Sequence, residues 1–233
     1  IPHCLRLPKM QIPPQSQIRE AVTVYCGRNE HYGFHSLEFA QAIIESRAGG
    51  ECGIRSITAW QGEEVWRQLD QDRWSVQLME AALEAVKAAS IGKSRGVRPG
   101  DYRDNCKTSD SHPTAFCLEF LDGLHVTHIN LGGHMSSWGI GMFINDETQP
   151  RATAPVQGEE DVHFAHFATL DRLIEDTFIS NQPPFAPQRS LLTTGGTAAI
   201  MRALATPGTT LPTPELAIAY DPSAYSTDFS LNK

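Results

Sequence analysis

The stretch AFCLEFLDGLHVTHINLGGHMSSWGIGMFINDETQPRATAPV, residues 115–156, decides the fold class. It divides into four strand-like segments, Ala115 to Leu121, Leu124 to Leu131, Ser136 to Ile144 and Ala152 to Val156, separated by Asp122-Gly123, Gly132-Gly133 and Asn145-Asp146. Asp-Gly accepts the positive φ that a tight hairpin demands, so the first two segments are expected to pair and the four together to form an antiparallel meander. Helical patterns stand before and after this block in separate runs. That arrangement predicts an α+β fold: a mostly antiparallel open sheet with helices packed on one face.

Toward the N-terminus, Val22 to Tyr25 reads as a short strand closed by Gly27. Phe34, Leu37, Ala40, Ile43 and Ile44 then recur at helical spacing as far as Gly49-Gly50, which stop the helix. Cys52 to Trp60 reads as a strand, Glu63 to Leu69 and Ser75 to Ala89 as helices, the latter with Ser75 as N-cap. Toward the C-terminus, Phe167, Leu170, Leu173, Ile174 and Phe178 mark a helical face ended by Pro183-Pro184, and a last helix covers Leu191 to Leu204. The four prolines within 1–17 make that segment an arm or linker, 18–222 a single domain with an exposed loop at about 90–112, and 223–233 a tail. A sheet covered on one face must bury the other or make it polar, so self-association is expected through Ile140, Met142 and Ile144 or through Ser137, Gly139 and Gly141.

The chain has 233 residues and a net charge of -8, from 19 basic and 27 acidic residues. That balance argues against nucleic acid and against a polybasic membrane patch. No apolar run approaches the ~18 residues of a membrane span. The five cysteines are odd in number, widely spaced and form no CxxC pair, which fits a reducing, cytoplasmic setting. No export signal is recognisable after Ile1, and the chain is expected to start inside a longer gene product. A nucleotide-binding strand, glycine fingerprint and helix are missing: Gly132-Gly133 and Gly195-Gly196 read as a turn and a helix break. The chain alone is therefore expected to bind neither NAD nor NADP. GxSxG, P-loop and HExxH motifs are absent as well.

Titratable groups are densest in Glu30-His31-Tyr32-Gly33-Phe34-His35-Ser36-Leu37-Glu38. With a helix beginning near His31, the residues His31, His35 and Glu38 stand at i, i+4 and i+7 on one face. Two imidazoles and a carboxylate suit proton transfer; they also suit a divalent metal, or are simply solvated residues at a helix start. A helix start favours the neutral, proton-accepting imidazole of His35. His125 and His128, three apart on a strand, point to opposite faces. The four tryptophans read as core or interface residues, although one near this cluster could floor a sugar-sized pocket.

The string Gly33-Phe34-His35-Ser36-Leu37-Glu38 at a strand-to-helix junction resembles the GxH(x)₂(D/E) signature of the Gfo/Idh/MocA oxidoreductase family. The stretches His163-Phe164, Gln182 to Phe185, Arg189 to Gly195 and Pro212 to Leu216 look like that family's closing helices and tail. The resemblance covers most of Val22 to Tyr220 and implies the family's C-terminal domain, which binds substrate and mediates oligomerisation. It further implies NAD or NADP held by a Rossmann domain absent from this chain or supplied separately. The substrate would be a sugar, polyol or related hydroxyl compound, with His35 and His31 catalytic and Glu30, Tyr32 and Glu38 binding substrate. Two departures stand out: no EKP-like lysine motif is present, and His31 occupies the place of the family's Asp four residues before the His. Rival readings are a non-catalytic assembly module of the same fold, and a metal-dependent lyase or hydratase built on His31, His35 and Glu38.

Overall fold

The structure is a computed structural model that describes residues 6–10, 12–13, 15–90, 96–107, 113–156 and 165–225. His163-Phe164, the residues 91–95 and 108–112 of the expected loop, and 226–233 of the tail lie outside the described residues.

Eight strands form one sheet in the order β1-β7-β6-β2-β5-β4-β3-β8. They are β1 (Arg6–Leu7), β2 (Ile18–Tyr25), β3 (Ile54–Gln61), β4 (Thr114–Phe120), β5 (His125–Asn130), β6 (Gly139–Ile144), β7 (Arg151–Pro155) and β8 (Thr210–Pro212). Every pairing is antiparallel except β2 with β5. The expected mixed α+β class with a mostly antiparallel sheet is therefore observed. The hairpins β4–β5 and β6–β7 also form, the first around Gly123 at φ +88.

The expected meander is interrupted, because β2 enters between β5 and β6. All five residues from Ala21 to Tyr25 are buried. A strand apolar on both faces is satisfied only in the middle of a covered sheet, and there it separates strands that are consecutive in the chain.

Helices lie on both faces of the sheet, not on one. On the first, α1 (Phe34–Ile44) and α6 (Pro187–Leu204) pack Leu37, Ile43, Leu192 and Ile200 with Ile57, Phe116, Leu118, Ile140, Met142 and Ile144. On the second, α2 (Glu63–Asp70) and α3 (Val76–Ala89) pack Trp66, Leu69, Leu78, Met79 and Val86 with Val22, Val24 and Ile129. The strands alternate between the two cores as their period of two requires. Ser75 caps α3 as expected, its Oγ accepting the Leu78 N–H at 3.3 Å.

The two sets of β6 residues read as possible contact faces are thus both consumed inside the chain. Ile140, Met142 and Ile144 enter the first core, and α3 lies directly on Gly139 and Gly141. A Cβ at Gly141 would come within 2.3 Å of the Leu78 carbonyl oxygen, and one at Gly139 within 2.6 Å of that of Ala82. Because backbone atoms cannot swing aside, Gly141→Ala is expected to destabilise by about 1–3 kcal/mol, read as a lowered denaturation midpoint at unchanged m-value.

Two further expectations change. Part of the expected loop is ordered: α4 (Tyr102–Lys107) packs Tyr102 against Trp66 at 5.7 Å between ring centroids, with Cys106 buried. The proline-rich arm contributes β1 at the sheet edge, where a missing amide donor costs least. α5 (Ala165–Ser180) leaves Phe178 and Ile179 largely exposed. Among the described residues no helix is long and apolar enough to cross a membrane.

Candidate active site

After Tyr25 the chain leaves the carboxyl end of β2 and winds through one π-helical turn, Asn29–Gly33, directly into α1. π-turns are rare and concentrate at functional sites, because their wider coil re-aims the side chains that follow. Here the turn is pinned from below by three strands. Asn29 Oδ1 accepts hydrogen bonds from Tyr25 OH (2.8 Å, β2), Thr114 Oγ1 (2.9 Å, β4) and Asn130 Nδ2 (3.0 Å, β5). Burial holds the Tyr25 phenol well above its usual pKa, so it remains a donor.

The ring of His35, half-buried in the first turn of α1, sits in an aromatic corner. It meets Trp138 edge-on at 5.9 Å and Tyr32 at 6.2 Å, and Tyr32 stacks on Trp138 at 5.8 Å with 22° between planes. Trp138 Nε1 donates to the Tyr32 carbonyl at 3.3 Å, tying the segment just before β6 to the turn. The other side of Tyr32 rests on Gly27, where a Cβ would lie 2.5 Å from the ring. Tyr32 is thus clamped yet remains 42% exposed, a fixed aromatic wall beside the imidazole. Trp138 is the tryptophan expected near this cluster.

Behind His35, its neighbour Ser36 joins a buried polar knot. His128 Nδ1 lies 2.6 Å from Thr23 Oγ1 and 2.9 Å from Ser36 Oγ, and Phe116 stacks on the ring at 5.0 Å. His128 is 1% exposed, and burial pushes its pKa down to about 3, so it stays neutral and serves to hold α1 on the sheet. Between pH 6.5 and about 3 the unfolded chain binds a proton here that the native state refuses, so stability must fall as pH falls through that window. From pH 6.5 to 5 the loss from this residue is expected to approach about 2 kcal/mol, and His128→Gln should flatten it in denaturant unfolding at the two pH values.

The other residues singled out in the sequence do not converge with His35 as one helix face. Glu30 and His31 are exposed on the π-turn, whose wider coil breaks the i, i+4 register assumed for an α-helix. Glu38 is 6% exposed and turned into the contact between α1 and α6, where it accepts a hydrogen bond from Thr193 Oγ1; burial raises its pKa. Glu38 is therefore a helix-packing residue, and its assignment to substrate is corrected. Among the described residues no group of three or more His, Cys, Asp or Glu is placed to hold a metal ion, so the triad for a metal-dependent lyase is not assembled. Nothing in the sequence marks Asn29 and Ser36 as partners of this site, since their roles depend on strands about 100 residues away. As expected, His125 points to the opposite sheet face from His128.

No family model matches the chain, and no curated protein matches it. Among solved structures it is similar to GenD2 from gentamicin A biosynthesis in complex with NAD (TM-score 0.47, 11% identity, 86% of this chain and 56% of that one). It is also similar to an aldose–aldose oxidoreductase from Caulobacter crescentus complexed with glycerol (0.44, 13%, 86% and 56%). A third is a myo-inositol dehydrogenase from Corynebacterium glutamicum (0.43, 10%, 84% and 56%). The chain spans little more than half the length of each.

Proposed function

We propose that this chain is the substrate-binding domain of a Gfo/Idh/MocA-like oxidoreductase acting on a sugar, polyol or related hydroxyl compound. The observation that supports this most is the placement of His35. It lies just beyond the carboxyl end of the β2–β5 parallel pair, half-open, beside an exposed tyrosine held in one orientation. Carboxyl ends of parallel strands are where α/β sheets collect ligands, and a rigid aromatic wall offers a sugar ring its apolar face. His35 would take the proton of the substrate hydroxyl, or return it in the reverse direction, and Tyr32 would orient the ring. Glu30 and His31, exposed on the same turn, are available to substrate hydroxyls.

Among the described residues, neither glycine pair makes a cradle for the nicotinamide cofactor implied by the family resemblance. Gly195 and Gly196 are interior to α6, where Cβ atoms would meet Leu216 and Leu37 respectively, and the turn at Gly132-Gly133 is closed by His134 N–H on the Leu131 carbonyl. Neither offers a phosphate a free helix N-terminus. In this reading NAD or NADP belongs to a Rossmann domain outside these residues, and calorimetric titration of this chain is expected to show no micromolar affinity for either. Self-association, also implied by the resemblance, would have to use a surface other than the two faces of β6.

The decisive experiment is turnover of the complete enzyme with a panel of sugars and polyols. Tyr32→Ala is expected to raise KM about tenfold with kcat largely kept, since an orienting wall binds ground and transition states alike. A panel without turnover on any hydroxyl compound would sink the proposal.

A further inference from the structure

The last two helices carry most of the apolar surface that the fold leaves open. Of the eight large apolar side chains exposed among the described residues, six stand there: Phe167, Ile174, Phe178 and Ile179 on α5, Leu191 and Met201 on α6. No described residue of α5 belongs to either hydrophobic core. Its residues Phe167, Leu170, Ile174 and Phe178 recur at three- and four-residue spacing and so make one stripe along the helix. α6 buries Leu192, Ala199, Ile200 and Ala203 in the first core and turns a second stripe outward, Leu191, Thr194, Ala198 and Met201, all exposed. The two stripes share one repeat and nearly one length, 16 and 18 residues of helix, so the bulky side chains of the first can seat over the small Thr194 and Ala198 of the second.

Charge decides which helix meets which. α5 carries Asp171, Glu175 and Asp176 against Arg172, whereas α6 holds no acid, and its Arg189 and Arg202 are paired with Glu45 and Glu215. Two α5 helices side by side would set acid against acid; α5 on α6 does not. The link between the helices keeps α5 off the α6 of its own chain. Pro183 and Pro184 hold the residues before them extended, and the far end is anchored, with Phe185 under the Arg189 guanidinium at 4.5 Å and Ala186 buried. A helix held away from an apolar stripe that matches it is the arrangement from which two copies exchange elements. With a large side chain carrying about 150–250 Å² when fully open, the exposed parts of both stripes in two copies come to roughly 1,300 Å², inside the ~1,200–2,000 Å² of stable protein–protein interfaces.

We infer that this chain pairs with a second copy of itself, α5 of each lying on the outer stripe of the other's α6. The contact is two-fold and closed, and it uses neither face of β6. It stands apart from the reading of the His35 corner, because its test measures mass and uses no turnover.

Light scattering of the purified chain across micromolar concentrations is expected to give twice the chain mass. Phe178→Glu and Leu191→Lys alter side chains that are 84% and 61% exposed, so both variants should fold; each sets a charge in the apolar contact and is expected to weaken the dimer at least tenfold. Mixing the two variants is expected to restore the dimer, since the mixed pair keeps one unaltered α5–α6 contact and sets Glu against Lys in the other. A wild-type chain of monomer mass, whose α5 closes on its own α6 or awaits another protein, overturns the inference. So does a dimer that survives either substitution, or a mixture that stays monomeric.

Discussion

Under the proposed function, His35→Ala is expected to lower kcat of the complete protein by about 10²–10⁴-fold, the usual worth of a positioned proton transfer, while the melting temperature stays within a few degrees. The two readouts separate because of where the ring sits. His35 is half-exposed and packs edge-on against Trp138 and Tyr32, so its removal trims aromatic contacts at the rim without opening the core. Ser36, Thr23 and His128 continue to hold α1 in place beneath it. Turnover that is unchanged in His35→Ala would remove the proton-transfer role and bring the non-catalytic assembly module forward. His31→Ala should cost much less, since His31 is exposed on the π-turn and has no part in that aromatic corner.

Arg189→Met should have the largest effect on stability. Arg189 is 2% exposed and pairs through Nε (2.9 Å) and Nη2 with both oxygens of Glu45, itself buried at the end of α1; Tyr220 OH donates to the same carboxylate at 2.7 Å. The Arg189 guanidinium also lies 4.5 Å from the Phe185 ring centroid. Removing the cation leaves a carboxylate in a site it cannot leave, at a cost of about 3–5 kcal/mol, whereas an exposed pair such as Lys107–Asp104 stays solvated and its loss costs far less. For a chain of this length that corresponds to a fall in melting temperature of roughly 10 °C. Arg189→Met combined with Glu45→Leu should recover much of the loss, because an apolar pair of similar volume avoids burying a charge. A single variant that melts with the wild type would show that Glu45 reaches water.

Local pattern carried much of the secondary structure. The Asp122-Gly123 hairpin, the Ser75 cap of α3 and the apolar stripe of α1 follow from turn chemistry, capping and helical spacing, each acting within a few residues. The same is true of the His35 junction, since a strand ending at Tyr25 and a helix starting soon after require the intervening residues to stand at a sheet end. The π-turn was not legible, because one additional residue in a coil leaves no mark on composition or spacing.

By itself, then, the sequence determined an α+β chain with a largely antiparallel sheet, the hairpins within it and the place of His35 at a strand-to-helix junction. Only the tertiary structure decided that β2 lies between β5 and β6, that α3 closes the second sheet face, and that Glu38 turns away from His35 to Thr193. These depend on free energies shared by segments distant in the chain: the burial of two apolar faces on one strand, the direct approach of α3 to Gly139 and Gly141, and the pairing of polar groups as α1 meets α6. Periodicity can say that a residue is buried, but which partner buries it is fixed only when the layers close.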